Sequence, residues 1–242
     1  MKQYIPNALT LLNLFCGSIA VIYVLNDNFV GAALFVFLGI FFDFFDGFAA
    51  RALNVQSELG LQLDSLADVV TSGLVPGLVM YKLFQIAELD WVERDSADIL
   101  FGVTTFSIIG LAITLASAYR LAKFNIDTEQ QSYFKGLPTP ANALLIISLP
   151  LILEFQNNDT INGIILNKWF LIGVTIFSCW ILNSNIKLFT LKFKDYSFKT
   201  NATRYIFIIL CVVLLIVLHF AAIPVIILLY IAMSVLDNLT SK

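Results

Sequence analysis

Between two apolar runs, residues 29–42 and 69–79, the chain carries four aspartates: Asp43, Asp46, Asp64 and Asp68. An ionised carboxylate inside an apolar membrane segment costs about 3 kcal/mol or more, so such residues are rare and functional by default. Four in one short stretch cannot face lipid; they require each other, a cation, or both. A helix over 29–52 places Asp43, Asp46 and Ala50 at i, i+3 and i+7, on one face. A helix over 60–84 places Gly60, Asp64 and Asp68 at i, i+4 and i+8, again on one face. The stretch 53–59 between them contains Asn54, Gln56, Ser57 and Glu58 and reads as a turn. Two antiparallel helices then face each other with two carboxylates apiece. Divalent cations seated between them relieve the repulsion. Oxygen-only ligation suits hard ions such as Mg²⁺, Mn²⁺ or Ca²⁺. Gly47 and Gly60 leave room for a ligand near the backbone. Arg51, one turn beyond the acids, offers a fork suited to phosphate. A purely structural helix pair would not call for four acids at these spacings.

The rest of the chain places these acids in a membrane. Of its 242 residues 59% are hydrophobic and 13% charged, and mean hydropathy is +0.88. This composition excludes an ordinary soluble domain and predicts an all-α polytopic membrane protein. About eight transmembrane helices of roughly 20 residues each fit the length. They are expected near 5–25, 29–52, 60–84, 99–119, 140–156, 166–183, 203–219 and 222–238. Pro76 should kink the third. Gly73 and Gly77 form a G-x-x-x-G pair suited to close helix contact, inside one chain or across a dimer seam. Residues 85–98 and 157–163 read as loops, and Trp91 suits the interface. Asn7, Thr10 and Asn13, at i, i+3 and i+6, mark one polar side of the first helix, for helix–helix hydrogen bonds or a ligand. His219 reads as interfacial. Cys16, Cys179 and Cys211 have no paired spacing and read as free thiols.

Residues 1–242 form one membrane domain in this reading: a six-helix core to 183, a basic linker over 184–202, and a helical hairpin over 203–242. The linker and the first residues after it interleave Lys187, Lys192, Lys194, Lys199 and Arg204 with aromatic residues. Beside membrane spans this suits anionic headgroups rather than nucleic acid. With the N-terminus in the cytoplasm and eight alternating spans, 11 of the 14 Lys and Arg residues face inward. The bias predicts that both termini are cytoplasmic. It also puts the acids, between helices 1–4, at the cytoplasmic side of the cell (inner) membrane.

The pattern D-x2-D-G-x2-A-R-x8-G-x3-D-x3-D is complete: Asp43, Asp46, Gly47, Ala50, Arg51, Gly60, Asp64, Asp68. It resembles the signature of the CDP-alcohol phosphatidyltransferases. The opening P-N-x-x-T-x-x-N with Phe15-Cys16-Gly17 resembles the phosphatidylserine synthase branch of that family. So does R-L-A-K-F-N from Arg120, followed by G-L-P-x-P-A from Gly136. The resemblance implies transfer of a phosphatidyl group from CDP-diacylglycerol to L-serine, with CMP released, in a homodimer. It implies two Mg²⁺ or Mn²⁺ ions held by Asp43, Asp46, Asp64 and Asp68, with Asp68 as general base. It further implies CDP or phosphate contacts from Asn7, Thr10, Gly47, Ala50, Arg51 and Gly60. Acceptor contacts would come from Arg120, Lys123 and Asn125. Glycerol 3-phosphate or an inositol phosphate stays open as the acceptor. A cation transporter with a four-Asp site is the alternative of another class; against it, the acids fall near span ends and no paired broken helices appear.

Overall fold

A computed structural model describes residues 4–89, 99–100, 103–104, 106–126, 134–156, 158–189 and 198–240. The expectations for Trp91, Lys192 and Lys194 lie outside these residues. Helix α1 (Tyr4–Leu25) turns at 26–28 into α2 (Phe29–Ala52). Asp27 takes the left-handed region at φ 57°. Asn28 caps α2 by accepting from the Gly31 amide at 2.8 Å. Lys82 pins this turn, pairing with Asp27 at 2.9 Å and donating to the Leu25 carbonyl at 3.2 Å.

The stretch expected as a turn is one. Asn54 stands at φ 53°, and the Val55 amide donates back to the Ala50 carbonyl at 3.0 Å. Ser57 then caps α3 (Glu58–Asp68), which runs through a π-helical turn (Val69–Leu74) into α4 (Val75–Leu89). Pro76, where a kink was expected, stands just after this π-helical turn in a helix that continues as one span over Glu58–Ala87. Proline has no N–H for the ladder, and the chain slips register one turn earlier, where the Val75 amide reaches the Val70 carbonyl.

Strands β1 (Ile99–Leu100) and β2 (Val103–Thr104) pair antiparallel, where the sequence reading began a fourth span at 99. Their β-branched Ile99, Val103 and Thr104 suit extended backbone. The span itself starts later, with a 3₁₀ turn (Ser107–Leu111) leading into α5 (Ala112–Ile126). Next come β3 (Phe134–Lys135), α6 (Thr139–Phe155), α7 (Asp159–Ile165) and α8 (Lys168–Asn183). Helix α7 corrects the loop expected at 157–163: Asn158 accepts from the Thr160 and Ile161 amides and nucleates a helical turn. It meets α8 at a bend of 58°. Strand β4 (Lys187–Leu188) returns to pair with β3. Helices α9 (Phe198–Leu218) and α10 (Ala222–Thr240) flank a 3₁₀ turn at His219–Ala221. They fold back on each other, since Thr203 of α9 reaches Asp237 of α10 at 3.4 Å. Gln156 holds this turn to the end of α6, donating to the Leu218 carbonyl at 3.0 Å and accepting from the Ala221 amide at 2.9 Å. His219 sits in the turn at φ 48°.

Among the described residues the fold is therefore all-α apart from two short ladders. Among the described residues, five stretches are long and apolar enough to cross a membrane, or six with the bent α7–α8 pair counted as one span. The fully buried side chains include Met80, Leu83 and Phe84 of α4, Ile113 of α5, Ile146 of α6 and Leu171 of α8. Long apolar side chains on α9, such as Ile209 and Ile216, are exposed, as a lipid-facing helix requires. All three cysteines are free.

The G-x-x-x-G pair works inside the chain. Gly73 abuts Ser117 and Gly77 abuts Thr114, and Thr114 Oγ1 donates to the Gly73 carbonyl at 3.1 Å. A Cβ at Gly77 would collide with Thr114 Oγ1. Gly77→Val should therefore destabilise the protein by about 1–3 kcal/mol through overpacking. Gly173→Ala, with open space around it, should leave the melting temperature in detergent unchanged.

Candidate active site

The acids meet where α2 and α3 emerge from their shared turn. Asp43, Asp46 and Asp64 each present one carboxylate oxygen, and the three oxygens lie within 4.8 Å of one another. Asp46 is buried, while Asp43 and Asp64 are half-buried. Asp68 is buried as well. It stands outside that trio but within electrostatic reach of all three acids.

Helix α1 supplies the orienting partners. Thr10 Oγ1 donates to Asp46 Oδ2 at 2.5 Å. Asn13 Nδ2 donates to Asp68 Oδ1 at 3.2 Å, and the Asn13 carbonyl accepts from Thr71 Oγ1 at 3.1 Å. The polar stripe on α1 thus makes helix–helix hydrogen bonds, and two of them end on carboxylates of the cluster. Asn13 was legible in the sequence only as a member of that stripe; its one-turn offset from Thr10 is the signal that pairs it with Asp68. Asn7 lies at the mouth, beside the start of α3: a Cβ at Gly60 would stand 3.4 Å from Asn7 Oδ1 and 3.2 Å from Ser57 Oγ. Gly47 faces open space, where the nearest atom to an added Cβ is Arg51 Nη2 at 3.9 Å. Arg51 is exposed and its Nε donates to the Gly47 carbonyl at 3.0 Å, which folds the guanidinium over that opening. Ala50 is half-buried beside it.

The donor set suits a hard divalent cation. Two oxygens on opposite sides of such an ion stand about 4.2–4.8 Å apart for bond lengths of about 2.1–2.4 Å. The trio meets that span and offers oxygen alone.

The residues at the C-terminal end of α5 separate into three roles. Arg120 is buried. Its Nε donates to the Leu137 carbonyl at 2.6 Å and its Nη2 to the Gly136 carbonyl at 3.2 Å. Much of its fork is thus spent on backbone, while its charge still acts on Asp68. Asn125 is engaged in holding α5 to α3, donating to Ser65 Oγ at 2.9 Å and accepting from it at 3.2 Å. Lys123 is exposed and lines a cleft with Arg120, Lys135, Asn183 and Ser184. Asn183 and Ser184 were not singled out from sequence, because the end of α8 meets α5 and β3 only in the folded chain.

Addition of Mn²⁺ to metal-stripped protein should raise its melting temperature in detergent. Asp64→Asn should abolish the rise. Thr10→Val should weaken apparent Mn²⁺ affinity by about 2- to 10-fold, the worth of one orienting hydrogen bond.

Comparison with known proteins places the chain among relatives of shared name. Over 162 residues the chain is 36% identical to a CDP-diacylglycerol–serine O-phosphatidyltransferase of Bacillus subtilis, covering 67% of this chain and 81% of that one. A protein of the same name from Methanocaldococcus jannaschii is 30% identical over 175 residues, 72% of this chain and 71% of its own. One from Saccharomyces cerevisiae is 30% identical over 164 residues, 60% of this chain and 53% of its own, so the match spans about half of the yeast protein. The sequence model described as CDP-alcohol phosphatidyltransferase matches residues 3–181, which include the acids, their α1 partners and the C-terminal end of α5. The chain belongs to the CDP-alcohol phosphatidyltransferase family.

Proposed function

We propose that the protein transfers the phosphatidyl group of CDP-diacylglycerol to the hydroxyl of L-serine, giving phosphatidylserine and CMP. One observation carries the reading: Asp43, Asp46 and Asp64 converge within 4.8 Å beside a fourth, buried acid in a chain of this family. The relatives named for serine transfer support the choice of acceptor.

In this reading Asp43, Asp46, Asp64 and the buried Asp68 would hold Mg²⁺ or Mn²⁺ as a two-ion site. Bound there, the ions neutralise the diphosphate and stabilise charge on the leaving oxygen. Thr10 keeps Asp46 turned toward Asp43 and Asp64. Asp68, steadied by Asn13, takes the proton of the serine hydroxyl. The serine oxygen then bonds to the phosphorus that bears the diacylglycerol, and the bond from that phosphorus to the CMP oxygen breaks. CMP leaves with the electron pair. Arg51 and the open backbone at Gly47 receive phosphate, and Asn7, Ala50 and Gly60 border the nucleotide. The cleft of Lys123 and Lys135 beside Arg120 takes the acceptor carboxylate.

Folding back of α9 on α10, together with the shorter apolar α6, supports eight crossings in one membrane domain. The charge bias supports cytoplasmic termini and a site on the cytoplasmic face of the cell membrane. A homodimer is part of the same proposal.

Purified protein in detergent, given CDP-diacylglycerol and Mn²⁺ or Mg²⁺, is expected to release CMP only when serine is added. Exhaustive chelation should abolish release, and Asp68→Asn should lower it at least about 100-fold, the scale of a lost general base. Release with glycerol 3-phosphate or an inositol phosphate instead of serine would overturn the acceptor. Turnover that survives chelation would overturn the metal site.

A further inference from the structure

The C-terminal helix α10 lies beyond the segment that matches the family model, which ends at residue 181. It is nevertheless bonded, step by step, to the cradle that holds Arg120. Asn238 Nδ2 donates to the Lys187 carbonyl at 2.6 Å. Tyr230 Oη donates to the Phe189 carbonyl at 2.7 Å, and the Phe189 amide donates to Ser234 Oγ at 3.4 Å. These three side chains stand at i, i+4 and i+8 of α10, one stripe aimed at β4 and the residue after it.

Strand β4 passes the constraint on. Lys187 pairs with Lys135 and Leu188 with Phe134, and the Gly136 amide donates to the Ile186 carbonyl at 2.9 Å. The next peptide is fixed from α8, where the Leu137 amide donates to the Ile181 carbonyl at 3.0 Å. Gly136 itself stands at φ 72°, with the carbonyls of Ile181, Leu182 and Ser184 crowding the place of a side chain. The Gly136 and Leu137 carbonyls then accept from Arg120. Packing repeats the path. The Leu137 side chain is fully buried in a cluster with Leu188 and with Ile227, Tyr230 and Ile231 of α10.

We infer that α10 is a positioning element for the acceptor cleft: through β4 and β3 it sets where Arg120 and Lys135 stand, and so how the cleft holds an anionic acceptor group. The inference rests on the proposed acceptor role of that cleft. It assigns positioning roles to Tyr230 and Asn238, which touch neither the acids nor the cleft. A merely structural α10 would affect stability alone. A positioning α10 separates the two substrates, because CDP-diacylglycerol meets the acids and Arg51 while the acceptor meets the far end of α5.

The test uses the full chain in detergent with CDP-diacylglycerol and serine. Tyr230→Phe and Asn238→Ala each remove one donor and keep the helix. Singly or paired, they should raise the KM for serine by about 3- to 10-fold, with the KM for CDP-diacylglycerol and the Mn²⁺ dependence unchanged. A serine KM that stays at the parent value in the paired variant would overturn the inference. So would a rise of both KM values together. Lys123→Ala and Lys135→Ala, run in parallel, separate the two readings. If they raise the serine KM and the α10 variants do not, the cleft stands and the role of α10 falls. If they leave it unmoved, the acceptor cleft and the role of α10 both fall.

Discussion

Three carboxylates held within 4.8 Å inside an apolar bundle set the terms for everything around them. In such surroundings like charges repel strongly and lack water to disperse the field. An arrangement of this kind persists only if the backbone prevents the acids from moving apart and a cation compensates them. The first condition is visible in the backbone. Asp43 and Asp46 are locked at one-turn spacing on α2, Asp64 and Asp68 at one-turn spacing on α3, and the turn at 53–57 leaves the two helices little freedom to separate. Its geometry is held by the left-handed Asn54 and by the Ser57 cap.

The second tier of the structure consists of polar side chains that orient those acids. Thr10 and Asn13 reach Asp46 and Asp68 from α1, and Asn125 ties α5 to α3 through Ser65. In a membrane interior an unmet polar group is costly, so each of these bonds also specifies how the helices pack. The π-helical turn after Asp68 belongs to this tier. It carries Thr71, whose hydroxyl binds the Asn13 carbonyl, so the helix holding Asp68 and the helix orienting it are fastened one turn further in.

Arg120 shows how the same side chain reads differently before and after folding. In the sequence it was expected as an acceptor contact. In the fold its guanidinium is the keystone between α5 and the 135–137 segment, and its charge reaches Asp68 from there. Asn125 moved further from expectation, because both ends of its amide are spent on Ser65.

The sequence by itself determined the chemistry and most of the helices. Acids in an apolar run are conspicuous because their cost is local, and helical spacing places them on faces without any knowledge of partners. The same locality made the turn at 53–57 and the membrane character legible, and made the break near His219 visible. It misplaced the start of the fourth span and hid α7, where short polar segments take their structure from a capping residue rather than from periodicity. Tertiary structure alone decided that Asp68 stands beside the trio, that Gly73 and Gly77 pack against α5, and that Lys135 and Asn183 share a cleft. Each of these depends on contacts between elements far apart in the chain, and the residues involved carry no periodic or compositional mark of the partner they will meet.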